Sequence, residues 1–272
     1  YKELSFPAGK NGEFLTEKNA LHIWPRGTYM LIALPNLDGS FTVTLFLPHQ
    51  DAPFSFEALD TPKKITDFFK NEFPDTLKLM PNLVEEFQEN PVGALGTIKC
   101  EPYSFKGKSL LIGDAAHAVV PFYGQGMNAS FEDVTVLFKY IDKYKDDWTK
   151  IFNEYEKERK KDADAIGDLA VENFYEMRDH VANPLFKIKR EIERKLEAAF
   201  PNDYLSKYSM VTFNPEISYH QAFLRGNAQD KAFLNLIEDQ EINLNTPLEE
   251  VLKKIKEKTN QIIEEDKTAH LL

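Results

Sequence analysis

The chain opens with alternating hydrophobic and polar positions and then turns to helical spacing, and that change of period sets the expected architecture. Thr28–Leu34 and Ser40–Leu47 read as two strands around Asn36-Leu37-Asp38-Gly39, whose Asp-Gly pair signals a hairpin turn. Period two puts Met30, Ile32 and Leu34 on one face, and Thr42, Thr44 and Phe46 on one face of the partner strand. Thr61-Pro62 starts a predicted helix that runs to about Phe73 and stops at Pro74. Leu83, Val84 and Phe87 recur at helical spacing in the mixed stretch that follows. Ile98–Phe105 reads as a strand, and Ser109–Ile112 as a buried strand that should run parallel to strands outside this chain.

The second half is predominantly helical. Met127, Phe131, Val134, Leu137, Phe138 and Ile141 form one apolar stripe. A longer helix from about Trp148 carries Ile166, Leu169, Ala170, Phe174 and Met177, with Asn173 inside the stripe. The stretch Lys157 to Lys161 alternates with acids and reads as a solvated helix face. Lys187–Phe200 is a further helix closed by Pro201, and KYSMVTFNP reads as extended. Thr246-Pro247-Leu248-Glu249 has the form of a capping box, and Leu248, Val251, Leu252 and Ile255 make the seam of a final helix.

Composition narrows the function. With 272 residues the chain can bury a real core. A formal charge of −11 with no basic stripe argues against nucleic acid. A lone cysteine, Cys100, excludes an internal disulfide framework and fits a reducing compartment. No apolar run approaches the ~20 residues of a membrane span. Asp114 and His117 find no ligand spacing with His22, His49, His180, His220 or His270, so no metal is expected. Cys100, Ser109 and Ser130 lack nucleophile signatures.

The richest segment is LLIGDAAHAVVPFYGQGMNASF, Leu110–Phe131. It reads as a strand, a tight Gly-Asp turn, a short apolar loop and a glycine-rich helix entry. Asp114, just after the strand, can hold a sugar hydroxyl. The start Gly124-Gln125-Gly126-Met127-Asn128 offers free backbone N–H groups to an anion. Together they suit a nucleotide-type cofactor, although a plain glycine-rich turn between strand and helix has the same outline.

This segment resembles the second FAD motif of the flavin-dependent aromatic hydroxylases, and PFYGQGMN, ENFYEMR and YSMVTF narrow the likeness to members acting on an aromatic amino acid. The resemblance implies a mixed α/β fold with three parts: a substrate-binding sheet and helix over 1–100, a piece of the Rossmann-like FAD domain over 101–146, and C-terminal helices closing the active site over 147–272. It implies FAD as cofactor and NADPH as co-substrate. Asp114 would hold the ribityl chain, and Gly124, Gln125, Gly126, Met127 and Asn128 would approach the flavin's pyrimidine edge. Pro121, Phe122 and Tyr123 would border the substrate ring. Leu21, Met30, Ile32, Leu34, Phe46 and Met177 would complete the apolar wall, and Asn173 and Tyr208 would face the substrate's amino-acid end. From the residues alone, Asn173 reads equally as a core amide tying a loop and Tyr208 as a core tyrosine.

The family's Gly-x-Gly-x-x-Gly half does not occur here, and the chain begins at Tyr1. The expectation is therefore the C-terminal part of a larger, soluble, cytoplasmic enzyme, with a homodimer left open. Two alternatives stand beside it: a related hydroxylase with another aromatic substrate, and a non-catalytic fragment that exposes apolar surface where its partner strands belong.

Overall fold

The computed structural model describes residues 1–180 and 183–269 and is a mixed α and β protein with an antiparallel main sheet. Two compact units divide it, Tyr1–Leu95 with Tyr175–Val181, and Gly96–Phe174 with Ala182–Leu272.

The first unit is built on a four-stranded sheet in the order β1-β4-β3-β2, with β1 Lys2–Phe6, β2 His22–Pro25, β3 Met30–Pro35 and β4 Phe41–Phe46. The expected hairpin joins β3 to β4, with the Asn36 amide bonding the Ser40 carbonyl at 2.8 Å and Asp38 Oδ1 accepting the Ser40 amide at 3.0 Å. One face, including Leu31, Ala33, Val43 and Leu45, buries against helices α1 (Pro62–Glu72) and α2 (Leu83–Glu89) through Ile65, Phe69 and Phe87. Thr61 caps α1 with Pro62 in its first turn. Lys2 closes the other helix: its Nζ donates to the carbonyls of Phe87 at 2.7 Å and Asn90 at 2.6 Å, where the C-terminal dipole favours a cation.

Register fixes the opposite face. Met30 stands across from Phe46, Ile32 from Thr44 and Leu34 from Thr42. Met30, Ile32 and Phe46 are buried, whereas Leu34 is 43% exposed. Leu21, just ahead of β2, is likewise half open. A π-helical turn, Glu176–His180, packs against β2 and buries Met177.

The second unit begins with a two-stranded antiparallel hairpin, β5 Ser104–Phe105 and β6 Ser109–Leu110. The long strand expected over Ile98–Phe105 is absent there. Ile98 and Leu111 each make a single backbone bond, to Ala118 and Tyr103. Ser109–Ile112 pairs only over Ser109–Leu110, and Leu111 and Ile112 are about two-fifths exposed, the open apolar surface expected of this chain taken alone. No described strand lies alongside to take their backbone groups, so the ladder ends after two residues. Helices follow: α3 Asp114–His117, α4 Gly126–Tyr144, α5 Trp148–Tyr175, α6 Pro184–Ala199, α7 Lys207–Phe213, α8 Tyr219–Glu238 and α9 Leu248–Ala269.

Three expectations need correcting. The apolar stripe of α4 is split: Met127, Phe131 and Phe138 are all more than half exposed, Leu137 and Ile141 are half-buried at the edge of the core, and Ala129, Asp133, Val136 and Tyr140 turn inward. Val136 and Tyr140 pack with Ile151 and Tyr155 of α5, which settles the inward face. KYSMVTF is helical rather than extended, because Ser206 caps it through the Ser209 amide at 3.2 Å and Met210 and Val211 bury one side. Third, Thr246 Oγ1 accepts the upstream Asn243 amide instead of capping α9. The capping box belongs to α8, where Ser218 and Gln221 bond reciprocally.

The C-terminal helices enclose an ion-pair cluster. Lys207 Nζ reaches Asp230 at 2.7 Å, and Lys189 Nζ reaches the same carboxylate at 2.7 Å. Burial works against the Lys207 charge, but Asp230 and Glu172 outweigh it and hold its pKa well above the usual lysine range. Gly226 of α8 makes room for this side chain, since a Cβ there would stand 2.5 Å from Lys207 Cγ. Gly226→Ala should therefore lower the melting temperature, with overpacking of about 1–3 kcal/mol exceeding the roughly 1 kcal/mol of helix propensity gained. A raised melting temperature would contradict this packing.

Candidate functional site

The Gly-Asp turn is held from behind by a buried carboxylate. Gly113 takes φ +59°, a conformation that glycine adopts at little cost. Its amide donates to Asp133 Oδ2 at 2.7 Å, and His117 Nε2 lies 2.6 Å from the same oxygen. Asp133 Oδ1 accepts from Arg159 Nε at 2.8 Å. Arg159 also donates to the Ala129 carbonyl at 3.3 Å and pairs with Glu132 at 3.0 Å. Asp133, Arg159 and His117 are all buried. Burial pushes the Asp133 carboxyl up, but the bonds from His117 and the Gly113 amide, with Arg159 beside them, outweigh it and leave its pKa below the ordinary value.

This network corrects the reading of Lys157 to Lys161 as a solvated face: Arg159 is 1% exposed. The signal was present in the periodicity, because Tyr155, Arg159, Asp162 and Ile166 recur at helical spacing on the stripe that buries α5. The functional partners of His117 were likewise missed; it meets Asp133 and stacks obliquely near Tyr103 at 6.2 Å.

Outward from this anchor lie the groups offered to a ligand. Asp114 is exposed, and among the described residues nothing hydrogen-bonds its carboxylate. Gly124 turns the chain with φ +68° into α4. Gln125 occupies the N-cap without capping, and among the described residues the first amides of α4 have no side-chain acceptor. Its Oε1 instead accepts from Asn128 Nδ2 at 2.9 Å and from the Tyr219 hydroxyl at 3.2 Å. Gly126 lies against Val119, Met127 and Asn128 are exposed, and a cleft of about 540 Å³ opens beside Gln125 and Asn128 toward Phe213 and Tyr219.

The apolar loop between turn and helix is tied to the helices behind it. Asn173 Nδ2 donates to the Phe122 carbonyl at 2.8 Å, the bond expected of a core amide that fixes a loop. The Phe122 ring lies 4.7 Å from Phe174. Pro121 is exposed, and Tyr123 is buried and stacks on Tyr208 at 5.7 Å and 21°. The second unit thus gathers Asp114, Pro121 through Asn128, Asn173 and Tyr208. Leu21, Met30, Ile32, Leu34, Phe46 and Met177 belong to the first unit. Among the described residues no three His, Cys, Asp or Glu converge as metal ligands; His270 and the His180 side chain lie outside that set.

An unpaired carboxylate on a tight turn, followed by an uncapped helix start, is a donor and acceptor set suited to a polyhydroxyl chain with an anionic edge. Residues 75–170 match the family described as FAD binding domain. Over most of its length the chain is homologous to proteins named kynurenine 3-monooxygenase. It is 50% identical to that of Dictyostelium discoideum over 242 residues, covering 84% of this chain and 52% of the relative. It is 47% identical to that of Flavobacterium psychrophilum, covering 94% and 57%, and 51% identical to that of Myxococcus xanthus, covering 85% and 49%. The chain spans about half the length of these relatives.

The depressed Asp133 pKa has a consequence for acid stability. Its contribution is present above the unfolded carboxyl value near 4 and is lost as pH falls through the folded value. Asp133→Asn leaves Arg159 buried with one partner fewer, so at neutral pH it should cost about 3–5 kcal/mol. In paired denaturant titrations the gap between the two proteins should narrow below about pH 4. A gap that stays constant would contradict the assignment.

Proposed function

We propose that the whole protein is an FAD-dependent monooxygenase that hydroxylates kynurenine to 3-hydroxykynurenine at the expense of NADPH. The observation that carries this reading is the 47–51% identity to relatives bearing that enzyme's name. The chemistry of the turn and helix start supports it independently, because it fits the ribityl chain and the pyrimidine edge of a flavin. Bound FAD, reduced by NADPH, would supply the oxygen-activating chemistry.

The residues of this chain have other tasks in the proposal. Asp114 accepts hydrogen bonds from ribityl hydroxyls. The helix start at Gly124, Gln125, Gly126, Met127 and Asn128 stabilises negative charge on the flavin's pyrimidine side, by about 0.3–1 kcal/mol at exposed sites and more when partly buried. Pro121, Phe122 and Tyr123 border the aromatic ring and keep water from it. Leu21, Met30, Ile32, Leu34, Phe46 and Met177 make an apolar wall. Asn173 and Tyr208 serve the substrate's amino-acid end; because the Asn173 amide nitrogen already holds Phe122, its part includes setting the loop's position. The division into a substrate-binding part over 1–100, an FAD-domain part over 101–146 and a closing helical part over 147–272 belongs to the same proposal.

No described helix is long and apolar enough to cross a membrane. A cytoplasmic enzyme is the proposed setting, supported by the lone unpaired Cys100. Homodimerisation is part of the proposal and is read directly by sedimentation.

The exposed Leu111, Ile112, Met127, Phe131 and Phe138 favour a second statement: this chain by itself is an incomplete catalyst. The full-length protein should show kynurenine-stimulated NADPH oxidation with a hydroxylated product. Asp114→Ala should weaken FAD binding by roughly tenfold or more, the worth of a charged hydrogen bond, in a fluorescence titration. Asn173→Ala and Tyr208→Phe should raise KM for kynurenine. Unchanged flavin affinity would remove Asp114 from the site, and full turnover at unchanged KM would remove the other two.

A further inference from the structure

We infer that Asp133 is a positioning residue that aims the Asp114 carboxylate by holding both ends of the turn that carries it. This rests on the flavin reading of the site. One oxygen, Oδ2, takes the Gly113 amide at 2.7 Å and His117 Nε2 at 2.6 Å. Those groups flank Asp114, one immediately before it and the other three residues after. Asp114 itself is exposed and among the described residues nothing bonds its carboxylate, so the direction of its side chain is set by the backbone beneath it.

The carboxylate that does the holding is fixed in its turn. Oδ1 is taken by Arg159 Nε at 2.8 Å, and Arg159 is braced by the Ala129 carbonyl and by Glu132. Both Asp133 and Arg159 are almost wholly buried, which leaves the carboxylate no room to rotate toward water. A bridge serving only to join α4 to α5 would need Oδ1 alone. The second oxygen is committed to the turn, where Gly113 takes φ +59° with its amide bonded to Oδ2.

The test is a double-mutant cycle on FAD affinity in the full-length protein, measured well below the melting temperature. Asp133→Asn and Asp114→Ala should each weaken FAD by about tenfold or more. The double variant should bind no more weakly than Asp114→Ala alone, because Asp133 acts through Asp114. Multiplied losses would overturn the inference and make Asp133 a general support of the fold. Undiminished affinity in Asp133→Asn, with Asp114→Ala impaired, would overturn it while leaving the flavin reading intact. Undiminished affinity in Asp114→Ala would overturn both.

If Asp133→Asn does not fold, His117→Gln releases one end of the turn with the Asp133–Arg159 pair retained, and the same cycle decides. A second readout needs no flavin. In this chain, hydrogen exchange at the Gly113 amide should be strongly protected and should lose that protection in Asp133→Asn. Equal exchange in the two proteins would overturn the clamp.

Discussion

The Gly-Asp turn, α4 and α5 depend on one buried carboxylate. Asp133 accepts from a backbone amide, an imidazole and a guanidinium, and each partner belongs to a different part of the chain: the Gly113 turn, α3 and α5. A carboxylate and a guanidinium taken out of water each cost several kcal/mol unless every hydrogen bond is made. The arrangement is therefore all or nothing, and it fixes the inward side of α4 as the polar one at its centre. With Asp133, Val136 and Tyr140 turned inward, Met127, Phe131 and Phe138 of the apolar stripe face out while Leu137 and Ile141 pack at the core's edge.

That division of α4 organises the candidate site. The buried side of the turn and of α4 supplies rigidity, and the outer side supplies chemistry: an Asp114 carboxylate with no bond among the described residues, the uncapped first amides of α4, and a loop pinned by Asn173 and by the Tyr123–Tyr208 stack. A binding group on a loop gains precision only when the loop is held by the scaffold, and here the holding bonds come from the helices behind it. The first unit follows the same logic in a sheet. One face is committed to a core with α1 and α2, which leaves Met30, Ile32 and Phe46 to form a second apolar face that opens toward Leu34.

Much of this was legible in the sequence. The hairpin at Asp38-Gly39, the Thr61-Pro62 helix start and the Gly-Asp turn are written in local residue chemistry, and the structure contains all three. What local pattern could not supply were choices made by distant partners. Periodicity finds the apolar stripe of α4 but cannot tell that an aspartate on the other face has a buried arginine waiting twenty-six residues later. KYSMVTF has β-branched and aromatic residues that favour a strand, yet a serine cap and burial of Met210 make it helical. Ser109–Ile112 has a buried strand's composition, and among the described residues no strand lies on its open side, as its expected pairing outside this chain requires. For α4 the deciding interaction is non-local, and for KYSMVTF a local cap acts together with burial against distant residues.

The most direct test of the account is a structure of the full-length protein with FAD bound. The Asp114 carboxylate should lie within hydrogen-bonding distance, about 2.6–3.2 Å, of a ribityl hydroxyl, with the first amides of α4 facing the flavin's pyrimidine edge and Asp133 still bonded to Gly113. Flavin bound elsewhere, or an Asp114 turned away from it over an intact turn, would contradict it.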